Sequence, residues 1–366
     1  MSTEAHACIV DDSPLGNLGV FATHRLAPGE IIMSERALLE RPFELLNNKG
    51  DALPAFHKYF DDIRNLGTSD KKLFVAIMRG SRYSYDNSID TVERLEEVLA
   101  QEMHPNSWSA IQLATTFHQN SWPFVGAQQV HRLLSGGVQL LNHSCNPNAE
   151  AIWHPDIARL VVRAMKPIAK GDEILISYIH PFMTKADRLR HLGFDCKCDE
   201  CSKTGEQRKL SEMRHMTLMN GLEIIKMFMS VHVEPNRYND IAVFTLDGIK
   251  EMLEDPSFDA VRRTAEGMIA AAKATGLRHI ALAAVHEALY FICHALMTAG
   301  PIQQRISMAE LAFESKFCET ELLFESHGLG NGRAKAALSV LRRATGKLNT
   351  RVSRAKALIE QHGGQW

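Results

Sequence analysis

Leu141-Asn142-His143-Ser144-Cys145-Asn146-Pro147-Asn148 carries one cysteine, and about fifty residues further on Cys196-Lys197-Cys198-Asp199-Glu200-Cys201 carries three more. Three thiols within six positions cannot pair among themselves without leaving one over, and their short spacers suit one tetrahedral metal ion. A closed zinc site takes four ligands, and Cys145 is the candidate for the fourth. The bland alternative is a set of buried or redox-sensitive thiols, with Cys145 packed as a small hydrophobe. A metal joining these positions would pin the segment after residue 190 over the 142–148 loop and build a pocket there.

The rest of the chain frames that loop. Its 366 residues are enough for two domains, or for one large domain with an extension. Hydrophobic residues make up 45% and charged ones 23%, an ordinary globular balance. Lysine and arginine number 41 against 43 acidic residues, so nothing advertises a nucleic-acid partner. No apolar run is expected to approach the length needed to cross a bilayer, and the start of the chain lacks the basic and apolar regions of a secretion signal. Seven cysteines, an odd number concentrated at one place, suit a reducing compartment, so cytoplasmic or nuclear residence is the expectation.

Strand signals occupy both ends of the front half. Residues 7–10, 19–22 and 31–33 read as strands separated by turns at 11–17 and 27–30. Residues 160–165 and 173–178 read as two more, joined through Lys166-Pro167 and Lys170-Gly171-Asp172; Lys166 and Lys170 read as solvated. Between these ends, Leu73, Ala76, Ile77, Val92, Leu95, Val98 and Leu99 recur at helical spacing, which marks a helical insert at about 46–119. After the cysteines the pattern is helical over 210–229, 258–275, 277–298, 302–324 and 334–361. Paired antiparallel helices of the tetratricopeptide type are one reading, although no clean repeat of about 34 residues is present.

The motifs taken together resemble the SET-domain protein lysine methyltransferases, in the branch called SET-and-MYND. The resemblance spans roughly residues 7–205, in the family's order. Gly19-Val20-Phe21-Ala22 precedes Pro28-Gly29-Glu30, and Asn120-Ser121-Trp122 follows the insert. The Asn-His-Ser-Cys-x-Pro-Asn string, Gly171-Asp172-Glu173-Ile174, Ile176-Ser177-Tyr178 and Phe194-Asp195-Cys196 complete the set. The implied architecture is α+β: a SET domain at 1–190 with the insert, a zinc-binding post-SET segment at 191–205, and an α-helical domain at 206–366.

What the resemblance implies is an S-adenosylmethionine-dependent protein-lysine N-methyltransferase acting on a protein or peptide lysine, with one structural Zn2+; a monomer is the expectation, and the sequence leaves the oligomeric state open. Tyr178 would be the catalytic tyrosine at the floor of a lysine channel and would also touch the cofactor. Asn17, Gly19, Asn120, Leu140, Asn142, His143 and Phe194 would line the cofactor site, Phe194 as a platform for adenine. Cys145, Cys196, Cys198 and Cys201 would hold the zinc. Outside the family context these residues have plainer readings: Tyr178 and Phe194 as packing residues, His143 as a hydrogen-bonded core histidine, Asn120 as a turn residue.

Three positions depart from the family pattern. No cysteine lies between Cys8 and Cys145, so the MYND zinc module, built on cysteines and histidines, is expected to be absent there. Asn17 stands where the first glycine of a Gly-x-Gly turn is usual. Leu192 stands where a second active-site tyrosine is common. Leu192 and Asn17 keep open a SET-fold interaction scaffold with little or no activity, and the missing tyrosine keeps open a methyltransferase acting on a small-molecule amine.

Overall fold

The computed structural model describes residues 7–15, 18–42, 59–80, 89, 91–100, 113, 121–125, 130–232, 246–345 and 349–365. The expected β-rich front and helical back are both present. Strand β1 (Cys8–Asp12) pairs antiparallel with β2 (Leu18–Ala22), so that Cys8 faces Ala22 and Asp12 faces Leu18. Strand β3 (Ile31–Arg36) lies beside the later hairpin, and a bulge at Ile31 and Met33 offsets its register. Strand β4 (Leu39–Pro42) joins β5 (Trp122–Val125) and β6 (Val130–Leu134) in the order β4-β6-β5. Two parallel residues at β7 (Asn142–His143) meet β10 (Leu175–Ile176), while β8 (Ala149–His154) and β9 (Arg159–Ala164) complete a sheet ordered β3-β9-β8.

The run 173–178, expected as one strand, pairs as a strand only at Leu175–Ile176. Its neighbours are held by other means: a bridge from Glu173 to Phe21, and side-chain bonds from Asn148. Within the expected insert, residues 59–64 are helical, followed by α1 (Thr68–Gly80) and α2 (Val92–Ala100). Phe60, Ile63, Phe74, Ile77, Leu95 and Leu99 from these helices form a core with Leu39 and Leu134 beneath it.

A short helix α3 (Lys185–Leu192) starts on Thr184, whose hydroxyl accepts the Asp187 amide, and stops at Gly193. Gly193 has φ 67°, a left-handed turn that glycine takes without the steric cost of a Cβ. That reversal sends Phe194 and Cys196 back toward the strands. One turn, α4 (Asp199–Ser202), carries Cys201. The back comprises α5 (Gly205–His232), α6 (Leu246–Glu254), α7 (Phe258–Thr275), α8 (Ala281–Ala299), α9 (Ile302–His327), α10 (Gly332–Ala344) and α11 (Asn349–Gln361).

The pattern at 277–298 begins helical later than expected, at Ala281. Gly276, with φ 64°, caps α7, and Arg278 is drawn off to Glu325 and Glu321 of α9 at 2.6 and 2.8 Å. Contrary to the sequence expectation, α8 is long and apolar enough to cross a bilayer. Its Val285, Leu289, Ile292 and Cys293 are nevertheless packed inside the helical core.

The two halves share that core. Met165 and Phe182 project from the front into the cluster built by Leu218, Ile225, Met268, Leu289, Phe313 and Phe324, and both are 0% exposed. Truncating such an aromatic loses its transfer energy and leaves a void. Phe182→Ala should lower unfolding free energy by about 3–5 kcal/mol, read from urea denaturation.

A second contact between the halves is polar and buried. Glu150 of β8 accepts the Ile280 amide at 3.1 Å and lies 3.5 Å from His279 Nε2. Burial pushes the Glu150 carboxyl up to about 8, and burial beside His180 and Lys166 pushes His279 down to about 3. In the unfolded chain Glu150 ionises near the ordinary carboxylate value, so its raised folded value favours folding at low pH. That contribution is lost as pH rises toward about 8. From about pH 6.5 to about 8, stability of the parent protein should fall relative to that of Glu150→Gln, because only the parent carries this carboxyl. Urea midpoints across that range check it.

Candidate active site and metal centre

Two segments cross at the parallel β7–β10 pair. Ser144 donates its amide to the Ile176 carbonyl at 2.9 Å. The Asn148 side chain clips the same neighbour twice, its Nδ2 donating to the Glu173 carbonyl at 2.9 Å and its Oδ1 accepting the Leu175 amide at 2.8 Å. An amide side chain suits this position because it offers a donor and an acceptor in one plane.

Glu173 holds the crossing to the β1–β2 hairpin. Its carboxylate accepts from Ser13 Oγ at 2.8 Å and from Asn142 Nδ2 at 2.7 Å, and Asn142 Nδ2 also donates to the Leu18 carbonyl at 2.8 Å. Gly19 is buried beneath it: a Cβ there would collide with the Glu173 carboxylate and sit 2.9 Å from Ser13 Cβ. Glu35 acts similarly on the turn before β7, accepting the amides of Gly136, Gly137 and Val138 at 3.0, 2.8 and 3.3 Å. That turn, Gly137–Leu140, sets Leu140 half-buried against the front core.

Past the crossing stands Tyr178, 46% exposed, its hydroxyl donating to the Leu141 carbonyl and its amide donating to His143 Nδ1 at 3.0 Å. The His143 ring is buried between three groups. Tyr178 lies 5.3 Å away by centroids, Phe194 presents an edge at 6.4 Å, and Cys145 Sγ is 3.3 Å from Nε2. His143 thus meets both Tyr178 and Phe194, Asn142 and Gly19 meet at the Glu173 carboxylate, and Leu140 packs on the front core. Asn17 and Asn120 lie outside the described residues.

The four cysteines converge. Their sulfurs all lie within 4.8 Å of one another, with Cys145 3.9 Å from Cys196 and 3.5 Å from Cys201. Four thiolates around one zinc at about 2.3 Å would stand about 3.8 Å apart, so the spacing fits the ion. Donors are aimed at the sulfurs, as thiolates require: the Cys145 amide at Cys198 Sγ (3.4 Å), the Cys198 amide at Cys196 Sγ (3.5 Å) and His143 Nε2 at Cys145 Sγ. Hydrogen bonding within the bare set holds the Cys145 thiol well up and, by the bond from Cys145, draws Cys198 down to about 6. A cation is what lets all four ionise together.

Residues 17–179 match the family model described as the SET domain. This segment is a SET domain. Histone-lysine N-methyltransferase set5 of Schizosaccharomyces pombe is 30% identical over 139 residues, covering 34% of this chain and 44% of the relative. N-lysine methyltransferase SMYD2 of Mus musculus is 36% identical over 93 residues, covering 24% of this chain and 21% of the relative. The chain thus spans less than half the length of these curated relatives. Among solved structures, the SET domain of LSMT bound to lysine and AdoHcy aligns over 98% of this chain and 90% of its own, at 11% identity and a TM-score of 0.33. A likeness that distant carries no weight for this chain.

Several residues that shape the SET domain site escaped the sequence reading. Lys166, expected in solvent, is half-buried and bonded to Asn146 Oδ1 at 2.5 Å, while Asn146 Nδ2 reaches the Thr275 carbonyl of α7 at 3.0 Å. Burial lowers the Lys166 amine to about 8. Behind the cysteines, Arg188 is 2% exposed, 3.3 Å from His215 Nε2 and 3.2 Å from Glu212. Burial opposes ionisation of Glu200, but bonds from His215, Lys203 and Ser211 hold it down at about 2. Asp199-Glu200 inside the cysteine run is the one local signal for this network, and Arg188, on a short polar helix, carries none.

Removing one sulfur should leave the remaining three unable to close the metal's shell. Cys198→Ser should lower bound zinc below one equivalent per chain, measured by elemental analysis of the purified protein.

Proposed function

We propose that this chain is an S-adenosylmethionine-dependent protein-lysine N-methyltransferase, with the SET domain as its catalytic part. The observation that carries the proposal is Tyr178: a half-exposed phenol at the strand crossing, its hydroxyl anchored on the Leu141 carbonyl, beside His143, Phe194 and the four-sulfur cluster. The named activities of set5 and SMYD2 agree with this reading. The cofactor would supply a methyl group already activated on a sulfonium.

The remaining work falls to the chain's own groups. Phe194 would offer an aromatic face for adenine, with Gly19, Leu140, Asn142 and His143, and Asn17 and Asn120 from sequence, as the further candidates for the cofactor site. The acceptor amine must approach in line and unprotonated, and a free lysine titrates near about 10.4. A water-excluding channel disfavours the ammonium form, and carbonyls such as that of Leu141 can accept the amine's hydrogens. The Tyr178 hydroxyl, fixed by its bond to Leu141, is a preorganised dipole at the channel floor. Zinc would do no chemistry; four thiolates leave it no open position, and its role is to order the Phe194 wall.

The acceptor class proposed is a protein or peptide lysine, and residence in the cytoplasm or nucleus is in keeping with seven cysteines that are all free thiols. Leu192, half-buried at the end of α3, favours a second reading. Without a hydroxyl at that position the fold could bind cofactor and act as a scaffold, or take a smaller amine.

Calorimetric titration with S-adenosylmethionine followed by transfer of labelled methyl groups to mixed cellular protein separates these readings. Saturable binding with labelled protein supports the proposal; binding without label in any protein leaves the scaffold. Tyr178→Phe should reduce transfer on the order of 10²-fold with cofactor binding nearly intact, because it removes one oriented hydroxyl. Loss of cofactor binding in that variant would place the tyrosine elsewhere.

A further inference from the structure

We propose that the His143 imidazole is a positioning residue that couples the four-sulfur cluster to the backbone of Tyr178. The inference rests on Tyr178 being the active-site tyrosine, but its geometry stands on its own. Tyr178 presents a backbone N–H to His143 Nδ1 at 3.0 Å, and an amide can only donate. Nδ1 must therefore be the bare acceptor nitrogen, which puts the ring's proton on Nε2. That nitrogen lies 3.3 Å from Cys145 Sγ, and a metal-bound thiolate is an acceptor suited to it.

Both bonds are shielded, with His143 5% and Cys145 1% exposed, so water cannot readily replace either partner. A half-turn of the ring would set carbon atoms against both the Tyr178 amide and the sulfur, and the two bonds are lost or kept together. The same ring also meets Tyr178 and Phe194 with its faces and edges. One side chain thus touches the metal centre, the tyrosine's main chain and the aromatic wall. Losing the thiolate at Cys145 frees the Nε2 proton, loosens the ring and deprives the Tyr178 amide of its acceptor. The zinc would then govern the tyrosine through two hydrogen bonds as well as through the order of the post-SET segment.

Two substitutions split the bridge. His143→Asn keeps an acceptor near Nδ1 and has no donor long enough for Cys145; His143→Gln keeps a donor near Nε2 and has no acceptor for Tyr178. With the zinc-loaded full chain, the Asn variant should release metal to a colorimetric chelator on the order of 10-fold faster than the parent, and the Gln variant at close to the parental rate. With a methylatable lysine substrate, the Gln variant should show the larger loss of kcat. Equal shifts of both readouts in both variants, or none, would reduce the ring to packing.

Nitrogen-15 spectra of the unsubstituted protein with labelled histidine rings provide a measurement free of folding defects. A neutral ring protonated at Nε2 supports the bridge, and protonation at Nδ1 overturns it. Absence of any methyl transfer by the parent would count against the methyltransferase reading alone, since metal release and tautomer would still report on the bridge.

Discussion

Four sulfur atoms hold together what the chain separates by 51 residues, from Cys145 beside the strand crossing to Cys196 beyond α3. Among the described residues, the four sulfurs and the His143 ring tie the segment around Phe194 to the strand crossing. Because ligand binding at such a centre is also folding energy, the wall of the proposed cofactor site has the metal's stability. The geometry is not confined to the sulfurs. His143 Nε2 and two backbone amides are aimed at them, and His143 passes the constraint on to Tyr178.

The helical back supports this centre from the other side. Arg188, Glu200, Ser211, Glu212 and His215 knit α3 and α4 to α5, and Asn146, one residue after Cys145, reaches the end of α7. Phe182, four residues after Tyr178, is fully buried in the helical core. The tyrosine is therefore bracketed by an apolar anchor after it and a hydrogen-bonded histidine beneath it. Its own ring stays partly open to solvent.

The sequence was most legible where a pattern repeats or a residue type is rare. Helical periodicity located α7 and α9 closely, and cysteine spacing brought out the sulfur cluster before any coordinates. Where a side chain replaces a regular element, periodicity gave the wrong picture. The 173–178 run looks like a strand, yet Asn148 and Glu173 do much of the work there and only two residues pair. Long-range polar partners left no local trace either. Lys166 next to Pro167 resembled a surface turn, and nothing in its neighbourhood announced Asn146 and the helical back as its surroundings. The late start of α8 has the same origin, because Arg278 leaves the helical pattern to meet carboxylates of α9.

The most direct test of this picture is X-ray absorption at the zinc edge of the purified full chain. One zinc bound by four sulfurs at about 2.3 Å is the result the account requires. A shell containing nitrogen or oxygen in place of a sulfur, or no zinc at all, would contradict it.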